Sequence, residues 1–265
     1  MEAYKAKVVV LGACGRMGHE LIEASYDNPG VSVVATVEHP DHPRVGALIG
    51  NAGEFVVASN LREALFGADV LIDFTSPEVT LSSLKIAAEA GVAAVIGTTG
   101  LSQEDHSAIA ELACKVPVVC SPNMSVGVNV MLWLLKQAAA TLGDSYDVEI
   151  SEAHHRHKVD SPSGTALKIA EVLCDAKGWE MSEVLRYGRQ GQIGPRSDRE
   201  IGLQVLRGGD VAGDHTVFFL GDGERLEVGH RASSRRVFAT GALRAAVWLA
   251  RKEPGLYGMT DVLDL

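Results

Sequence analysis

The first half of the chain alternates short, continuous apolar runs with helical patterns. Runs rich in valine, isoleucine and alanine are typical of strands buried on both faces of a parallel sheet. Five such strands are predicted, at 7–11, 32–37, 70–74, 93–96 and 116–120. Helical segments lie between them, including 81–90 and a helix that Ser102 and Asp105 begin in a near capping-box arrangement. This order predicts an α/β fold with a Rossmann-like parallel sheet.

The second half follows a different pattern. A long apolar helix is predicted at 128–142 and a strand at 146–153, and an amphipathic helix begins after Ser163. Strands at 201–207, 215–220 and 225–230 are separated by glycine turns, and two of them alternate apolar with polar residues. These elements predict an α+β domain with a mixed or antiparallel sheet. A last amphipathic helix is expected at 235–251, ended by Pro254-Gly255.

A glycine turn directly follows the first predicted strand. The sequence GACGRMG at 12–18 lies between that strand and a helical pattern, which is the order of a dinucleotide-binding βαβ unit. Gly12 and Gly15 let the backbone turn tightly and approach a pyrophosphate, and Gly18 lets the helix pack closely. The spacing is GxxGxxG rather than GxGxxG, because Cys14 takes the middle place.

Glu38 ends the second predicted strand, where an acidic side chain can bind the adenosine ribose diol. A carboxylate there repels a 2′-phosphate, although Arg16 and His39 offset part of the repulsion. NADH, or use of both NADH and NADPH, is therefore favoured over strict use of NADPH. The alternative is that Glu38 is a solvated carboxylate at a strand end.

Three loops are expected to face the cofactor, because ligands of open parallel sheets bind beyond the carboxyl ends of the strands. These loops are 12–18, 97–100 and 121–125, and the last two should line the nicotinamide end.

A basic segment, EAHHRHKVDSPSGTA, occupies 152–166. It combines titratable donors, a lysine and a helix N-terminus whose N–H groups receive carboxylates well. We interpret it as a pocket for a small anion to which a proton is delivered. A solvated basic loop is one alternative. A metal site is another, but the histidine spacing differs from HExxH and no cysteine lies nearby. We therefore predict no metal.

Composition narrows the possible partners. The 265 residues carry a formal net charge of −10, which argues against a nucleic-acid or anionic-membrane surface. The four cysteines are scattered, as is typical of a reducing compartment. The apolar run after the N-terminal residues is too short for a signal peptide or a membrane span. We expect a cytoplasmic protein with no nucleic-acid or membrane partner.

These motifs together closely resemble the dihydrodipicolinate reductases, also called 4-hydroxy-tetrahydrodipicolinate reductases, of bacterial lysine and diaminopimelate biosynthesis. The resemblance spans almost the whole chain, and the 152–166 segment is its most specific part. The other matching motifs are GACGRMG at 12–18, DFTSPE at 73–78, GTTG at 97–100, NMSVGVNVM at 123–131 and VLDL at 262–265.

The resemblance implies hydride transfer from NADH or NADPH to a cyclic dicarboxylate. It implies that His154 donates the proton, that Lys158 is a second donor, and that His155, Gly164 and Thr165 hold the substrate. The residues that it implies for cofactor binding are Gly12, Ala13, Cys14, Gly15, Arg16, Met17, Glu38, His39, Gly97, Thr98, Thr99, Ser121, Pro122, Asn123 and Met124. It also implies a nucleotide domain of 1–125 plus 235–265, a substrate and oligomerisation domain of 126–234, and a homotetramer built by the second sheet.

Two departures from the family pattern bear on the cofactor. Many members carry arginine after the acidic residue at 38, and His39 supplies no charge when neutral. Cys14 stands where a third glycine is common. Two rival functions remain at this point: another nicotinamide oxidoreductase, such as a semialdehyde dehydrogenase using Cys120 as its thiolate, and a non-enzymatic NAD sensor.

Overall fold

A computed structural model describes residues 4–265 of the chain. Residues 1–3, which the predicted nucleotide domain includes, lie outside the described residues. The chain forms two compact units. The first, unit 1, comprises the residues up to Val126 together with Arg235–Leu265, and the second, unit 2, comprises Gly127–Ser234. The predicted boundaries lie after residues 125 and 234.

The helices and strands follow one another in three stretches of the chain. The first stretch contains β1 (Ala6–Leu11), α1 (Arg16–Tyr26), β2 (Val31–Val37), β3 (Leu48–Ile49), β4 (Phe55–Ala58), α2 (Leu61–Ala64), β5 (Val70–Asp73), α3 (Pro77–Ala90), β6 (Ala93–Ile96), α4 (Gln103–Ala113) and β7 (Pro117–Cys120). The second contains α5 (Val126–Leu142), a 3₁₀ turn (Gly143–Ser145), β8 (Asp147–His154), α6 (Gly164–Lys177), α7 (Met181–Val184), β9 (Leu185–Tyr187), β10 (Ile201–Arg207), β11 (Gly213–Gly221) and β12 (Glu224–Ala232). The third contains α8 (Arg236–Leu249), β13 (Gly255–Tyr257) and α9 (Met259–Leu263).

Unit 1 is built on an eight-stranded sheet in the order β13-β7-β6-β5-β1-β2-β4-β3. Its pairings are parallel except for β3 with β4. Strand β1 is buried on both faces: Val8 and Val10 pack towards α1 and α8, whereas Val9 and Leu11 pack on the α2–α3 side. The predicted Rossmann-like sheet is therefore confirmed. Because β1 lies between β2 and β5, the connections diverge at its carboxyl end, where such sheets bind ligands.

Unit 2 is built on a five-stranded sheet in the order β12-β11-β8-β10-β9. Strand β8 pairs in parallel with β10 and antiparallel with β11, so the sheet is mixed, as predicted. Residues of β8 alternate between buried and half-buried, and the buried ones, including Val148 and Ile150, pack against Leu135 of α5 and Ile169 of α6. One face is thus covered by helices. The opposite face, here called the open face, carries Glu149 and its neighbours.

Among residues 4–265, one helical stretch is long and apolar enough to cross a membrane by length and composition alone, the 20-residue Val126–Ser145. Apolar helices of protein cores pass the same test, and Met131, Leu135 and Ala139 of this helix lie in the core of unit 2.

Several predicted boundaries require correction. The last long helix ends at Leu249 rather than at 251, and Pro254-Gly255 does not end it. Leu249 is the last of its core residues, and an exposed segment follows before Gly255 begins β13. The predicted strand 146–153 extends to His154, because Arg207 pairs with His154 in the β8–β10 ladder.

Candidate active site

The loop after β1 has the shape expected of a pyrophosphate-binding turn. Gly12 adopts a φ of +70°, a backbone conformation that favours glycine. A Cβ on Gly18 would stand 2.3 Å from the Gly12 carbonyl oxygen, so only glycine lets α1 start this close to the turn. Gly15 is the N-cap of α1. The N-terminus of that helix therefore lies at the carboxyl edge of the sheet, where it stabilises bound anions.

The other predicted residues of this loop differ in exposure. Arg16 is exposed at the first position of α1, beside the exposed Gly15. Ala13 is buried, and Met17 packs against the core of unit 1. Of these side chains, that of Arg16 is the one available to a phosphate in solvent.

Glu38 lies beside the same turn. One carboxylate oxygen accepts a hydrogen bond from the Cys14 amide at 2.9 Å, and the other accepts one from the His39 amide at 3.3 Å. The side chain is half-buried, at the carboxyl end of β2. This position matches the one expected of a ribose-binding acid. His39 is exposed, and its Nδ1 lies 3.8 Å from an Asp41 carboxylate oxygen.

The loops after β6 and β7 are held by internal hydrogen bonds. Thr98 Oγ1 lies 2.8 Å from Thr80 Oγ1 in a buried pair, and Ser121 Oγ donates to the Asn123 carbonyl at 2.9 Å. The hydroxyls of Thr98 and Ser121 thus fix the shape of their loops. The predicted residues that are exposed in these loops are Thr99 and Pro122, whereas Gly97 and Met124 are buried.

In unit 2, Glu152 is the centre of a buried ionic cluster. Its side chain is 0% exposed, yet three groups hydrogen-bond to its carboxylate. Arg207 donates to both oxygens at 2.9 Å, the Ser163 amide donates at 3.0 Å, and His154 Nδ1 lies 2.5 Å away. Burial alone would raise the pKa of Glu152, but Arg207, His154 and the Ser163 amide together lower it below its ordinary value. The carboxylate is therefore ionised at neutral pH.

His154 lies between this carboxylate and a second buried histidine. The ring of His215 meets it edge to face, with the centroids 5.2 Å apart. Burial, followed by the charge of His154, lowers the pKa of His215 to about 4, so His215 is neutral near pH 7. His215 Nε2 is 3.1 Å from Ser163 Oγ. Because Nδ1 of His154 is directed at Glu152, Nε2 is the ring nitrogen that can exchange a proton with a bound ligand.

The loop after β8 carries the remaining basic residues. Lys158 Nζ donates to Asp160 Oδ1 at 2.8 Å, and this pair is the main cause of a lowered pKa of Asp160. The His155 amide donates to the Val211 carbonyl at 2.7 Å. The ring centroids of His155 and His157 lie 6.3 Å apart. Lys158 is therefore a paired, partly exposed ammonium group in the same segment as the buried His154.

The N-terminus of α6 completes this part of unit 2. Ser163 is its N-cap and accepts a hydrogen bond from the Ala166 amide at 3.1 Å, as predicted. Gly164 and Thr165 are the first two residues of the helix, and Gly164 is exposed. N–H groups in a first helical turn point out of the helix end, where they attract carboxylates. Unit 2 thus brings together His154, Lys158 and a helix N-terminus.

Comparison with known proteins identifies the family. The family model described as "Dihydrodipicolinate reductase, N-terminus" matches residues 6–124, and the one described as "Dihydrodipicolinate reductase, C-terminus" matches residues 127–263. The chain belongs to the dihydrodipicolinate reductase family.

Individual relatives agree with this assignment. The chain is 52% identical to the 4-hydroxy-tetrahydrodipicolinate reductase of Anaeromyxobacter dehalogenans strain 2CP-C, with 98% of each chain covered. It is 49% identical to that of Syntrophotalea carbinolica, covering 98% of this chain and 99% of the relative. The solved structure of a dipicolinate-bound dihydrodipicolinate reductase from Paenisporosarcina sp. TG-14 matches with a TM-score of 0.76 at 25% identity, covering 97% of this chain and 98% of that one. An amine dehydrogenase from Mycobacterium smegmatis, at 12% identity and a TM-score of 0.59 over 97% of this chain and 96% of that one, shares the fold alone.

The resemblance inferred from sequence is therefore confirmed. As a member of the dihydrodipicolinate reductase family, the protein is an oxidoreductase that binds a pyridine nucleotide. The glycine turn, the α1 N-terminus and Glu38 of unit 1 fit such a nucleotide.

Four participants in the buried cluster of this reductase were not among the predicted site residues. They are Glu152, Arg207, His215 and Ser163, of which Ser163 was predicted only as the start of its helix. A signal existed for Glu152, because it lies two residues before His154 in a strand and so shares its face. His215 shares a face with Val217 and Phe219 in the same way, which indicates burial. Nothing local in the sequence indicates that Arg207 would reach Glu152.

Proposed function

We propose that this protein reduces 4-hydroxy-tetrahydrodipicolinate to tetrahydrodipicolinate, with NADH or NADPH, in lysine and diaminopimelate biosynthesis. The names of its relatives support the substrate. The observation that carries the proposed chemistry is the contact of His154 Nδ1 with the buried, ionised Glu152 at 2.5 Å. A histidine held in this way is suited to hold and release a proton at a fixed atom.

The cofactor is expected to bind unit 1. When bound, a reduced nicotinamide nucleotide supplies the hydride. The residues proposed to hold it are Gly12–Met17, Glu38, His39, Gly97–Thr99 and Ser121–Met124. Glu38 beside the turn supports binding of an unphosphorylated ribose diol. The exposed Arg16 offers a positive charge to a 2′-phosphate, and the exposed imidazole of His39 lies beside Glu38. NADH is therefore favoured, or both nucleotides are used.

His154 is proposed to donate the proton that completes the reduction. Hydride addition to a conjugated imine leaves negative charge on an enamine, and general acid catalysis of the following protonation is typically worth ~10²–10⁴-fold. The Glu152 carboxylate stabilises the protonated imidazole and fixes its orientation, so that the proton leaves from Nε2. The ammonium group of Lys158 stabilises the developing charge and is a second donor.

The dicarboxylate substrate is proposed to bind unit 2 through the N-terminus of α6. The Gly164 and Thr165 amides and the Thr165 hydroxyl would hold one carboxylate, and His155 with the rest of the basic segment would hold the other. The open face of the unit 2 sheet supports assembly into a homotetramer, because it exposes Leu206 and Leu220, at 54% and 37%. We expect a cytoplasmic enzyme with no nucleic-acid or membrane partner.

A semialdehyde dehydrogenase activity is disfavoured. Such an enzyme needs a thiolate nucleophile, and the predicted candidate was Cys120. Burial raises the pKa of Cys120 to about 11, so the thiol is protonated at neutral pH. A non-enzymatic NAD sensor would have no use for a proton donor beside an anion site.

The test is oxidation of NADH with and without the fresh condensation product of pyruvate and aspartate semialdehyde. We expect oxidation only with that product, and turnover at least ~10²-fold lower in Lys158→Ala and His154→Ala. The matched control is Lys168→Ala, which removes an exposed lysine whose Nζ bonds Glu171 at the same 2.8 Å. It should leave turnover unchanged. NADH binding, followed by fluorescence, should be nearly intact in all three. Oxidation without the product, or equal turnover in the Lys158 and Lys168 variants, would overturn the proposal.

A further inference from the structure

Cys14, Glu38 and His42 form a compact group in unit 1. One potential ligand atom from each residue, a sulfur, an oxygen and a nitrogen, lies within 4.8 Å of the other two. All three side chains are half-buried, so they are reachable from solvent yet partly shielded from it. The group belongs to unit 1, whereas the histidine segment belongs to unit 2, and the proton-transfer chemistry proposed above uses none of the group's side chains.

The backbone holds two of the three residues in place. Cys14 lies in the glycine turn, and its amide fixes the Glu38 carboxylate through the 2.9 Å hydrogen bond. That contact uses one acceptor position of a carboxylate that has about four. His42 lies in a turn in which its amide donates to the His39 carbonyl at 2.9 Å. The group is thus assembled from the loop after β1 and the loop after β2.

We propose that Cys14, Glu38 and His42 form a reversible site for zinc or a similar divalent transition metal. Thiolate, imidazole and carboxylate are the ligands that zinc takes, and three protein ligands leave a fourth position for water. In a tetrahedral site the ligand atoms stand roughly 3.5 Å apart, from metal–ligand lengths of about 2.0–2.3 Å. The three ligand atoms therefore need to approach one another by little more than 1 Å at most, which small rotations of the half-buried side chains supply.

Two local features oppose the site. Burial, followed by the charge of Glu38, raises the pKa of the Cys14 thiol, so the ion must displace the thiol proton. The Arg44 amide donates to His42 Nδ1 at 3.2 Å. A metal on Nδ1 would displace this hydrogen bond, and a metal on Nε2 would require the proton to move to Nδ1. This hydrogen bond is long and near the surface, so its loss reduces the free energy of metal binding only slightly. Two anionic ligands, the thiolate and the carboxylate, balance the charge of the ion.

Occupation of this site should exclude the dinucleotide. This step rests on the proposed function, in which Glu38 binds the adenosine ribose. A metal that uses the Glu38 carboxylate and sits over Cys14 would take the same place. Metal and NADH should then compete, and NADH at 100 times its dissociation constant should weaken metal binding by ~100-fold.

The first experiment measures metal binding alone, on the full chain without nucleotide or substrate. Zn²⁺ is titrated by calorimetry, and Co²⁺ is titrated while the absorption of thiolate-bound cobalt is followed. We expect one ion per chain with cobalt–thiolate absorption. Cys14→Ala should abolish that absorption. His42→Ala should lower the affinity for Zn²⁺ by more than ~10–100-fold, the loss that is typical when a residue that only hydrogen-bonds to a ligand is removed. Two matched controls, Cys114→Ala and His19→Ala, remove an exposed cysteine and an exposed histidine of unit 1 and should change neither result.

Unchanged Zn²⁺ affinity in the Cys14 and His42 variants, or no binding by the wild-type chain, would overturn the proposal. A second titration at saturating NADH tests the competition, and Zn²⁺ binding unaffected by NADH would refute that step. Reductase turnover is measured separately in buffer that contains a chelator. A failed metal site then leaves turnover intact, whereas a failed reductase assignment leaves the metal titration unaffected.

Discussion

Replacing Glu152 with glutamine tests whether this carboxylate positions His154, the proposed proton donor. Glu152 is fully buried and contacts Arg207 through both oxygens and His154 at 2.5 Å. Glutamine keeps the volume and one acceptor but removes the charge. It therefore leaves Arg207 as a cation without its carboxylate and His154 without its anionic partner.

The structure sets the expected size of the loss of stability and of the loss of turnover. Removing one partner of a buried ion pair typically costs about 3–5 kcal/mol. Arg207 is 21% exposed and also donates to the Leu206 and Asp160 carbonyls, so we expect the lower end, about 3 kcal/mol. Turnover should fall by ~10²-fold, because a histidine free to rotate loses most of its value as a general acid. NADH affinity should not change.

The matched control is Glu149→Gln. Glu149 lies in the same strand but on the open face of the sheet. Like Glu152 it is paired with arginine, in its case with both Arg189 and Arg196. Both glutamates have a lowered pKa although burial raises it: hydrogen bonds from Arg189 and Arg196 lower that of Glu149, and hydrogen bonds from Arg207, His154 and the Ser163 amide together lower that of Glu152. Urea unfolding should therefore show a loss of stability in both variants. Only Glu152→Gln should lose turnover.

The pH dependence gives an independent check. A carboxyl group with a lowered folded-state pKa stabilises the fold above its unfolded pKa, and that stability is lost as the pH falls through the folded value. The stability deficit of Glu152→Gln should thus be full at neutral pH and shrink below the ordinary value of 4.5. In the His154→Ala background, adding Glu152→Gln should change turnover by less than ~3-fold, because the two residues act as one unit. Equal losses of turnover in the Glu149 and Glu152 variants, or additive losses with His154, would refute the positioning role.

Three further substitutions have expected outcomes. Ser163→Ala removes the N-cap of α6 and the partner of buried His215 Nε2, and should cost about 2 kcal/mol in urea unfolding. Gly18→Ala places a Cβ 2.3 Å from backbone and should cost about 1–3 kcal/mol and weaken NADH binding, as thermal unfolding with and without NADH would show. His39→Arg adds a permanent charge beside Glu38 and should shift the ratio of kcat/KM values by ~10-fold towards NADPH, whereas His106→Arg, on an exposed face of α4, should not.

Five parallel strands of unit 1 were predictable because each is a continuous apolar run, and the predicted strand 93–96 coincides with β6. The predicted strand 201–207, which alternates apolar with polar residues, coincides with β10 of unit 2. The short edge strands were not predicted: β3 has two residues, and β13 has three. Their conformation depends on hydrogen bonds to distant partners, as in the pairing of Gly255–Tyr257 with the strand at Pro117. Local pattern contains no information about such partners.

The candidate site was predictable where its residues lie close together in sequence. The segment 152–166 contains His154, Lys158 and the start of α6, so these residues of the proposed site could be named from the sequence alone. Arg207 is 55 residues from Glu152, and His215 is 52 residues from Ser163. Their approach depends on how strands pair, which alternation of apolar residues does not specify. Sequence therefore indicated His154, the proposed proton donor, but not the groups that hold it.

Strand register is what brings those groups to His154. In the β8–β10 ladder Arg207 lies opposite His154, and in the β8–β11 ladder His215 lies opposite Glu152. The side-chain period of a strand is two, so a slip by one residue in β10 would turn Arg207 to the open face and leave Glu152 buried without its main cation. Apolar residues of the same strands, such as Ile150 and Leu203, oppose that slip because it would expose them. The packing of the unit 2 core therefore keeps Glu152 ionised, and through it holds the ring of His154.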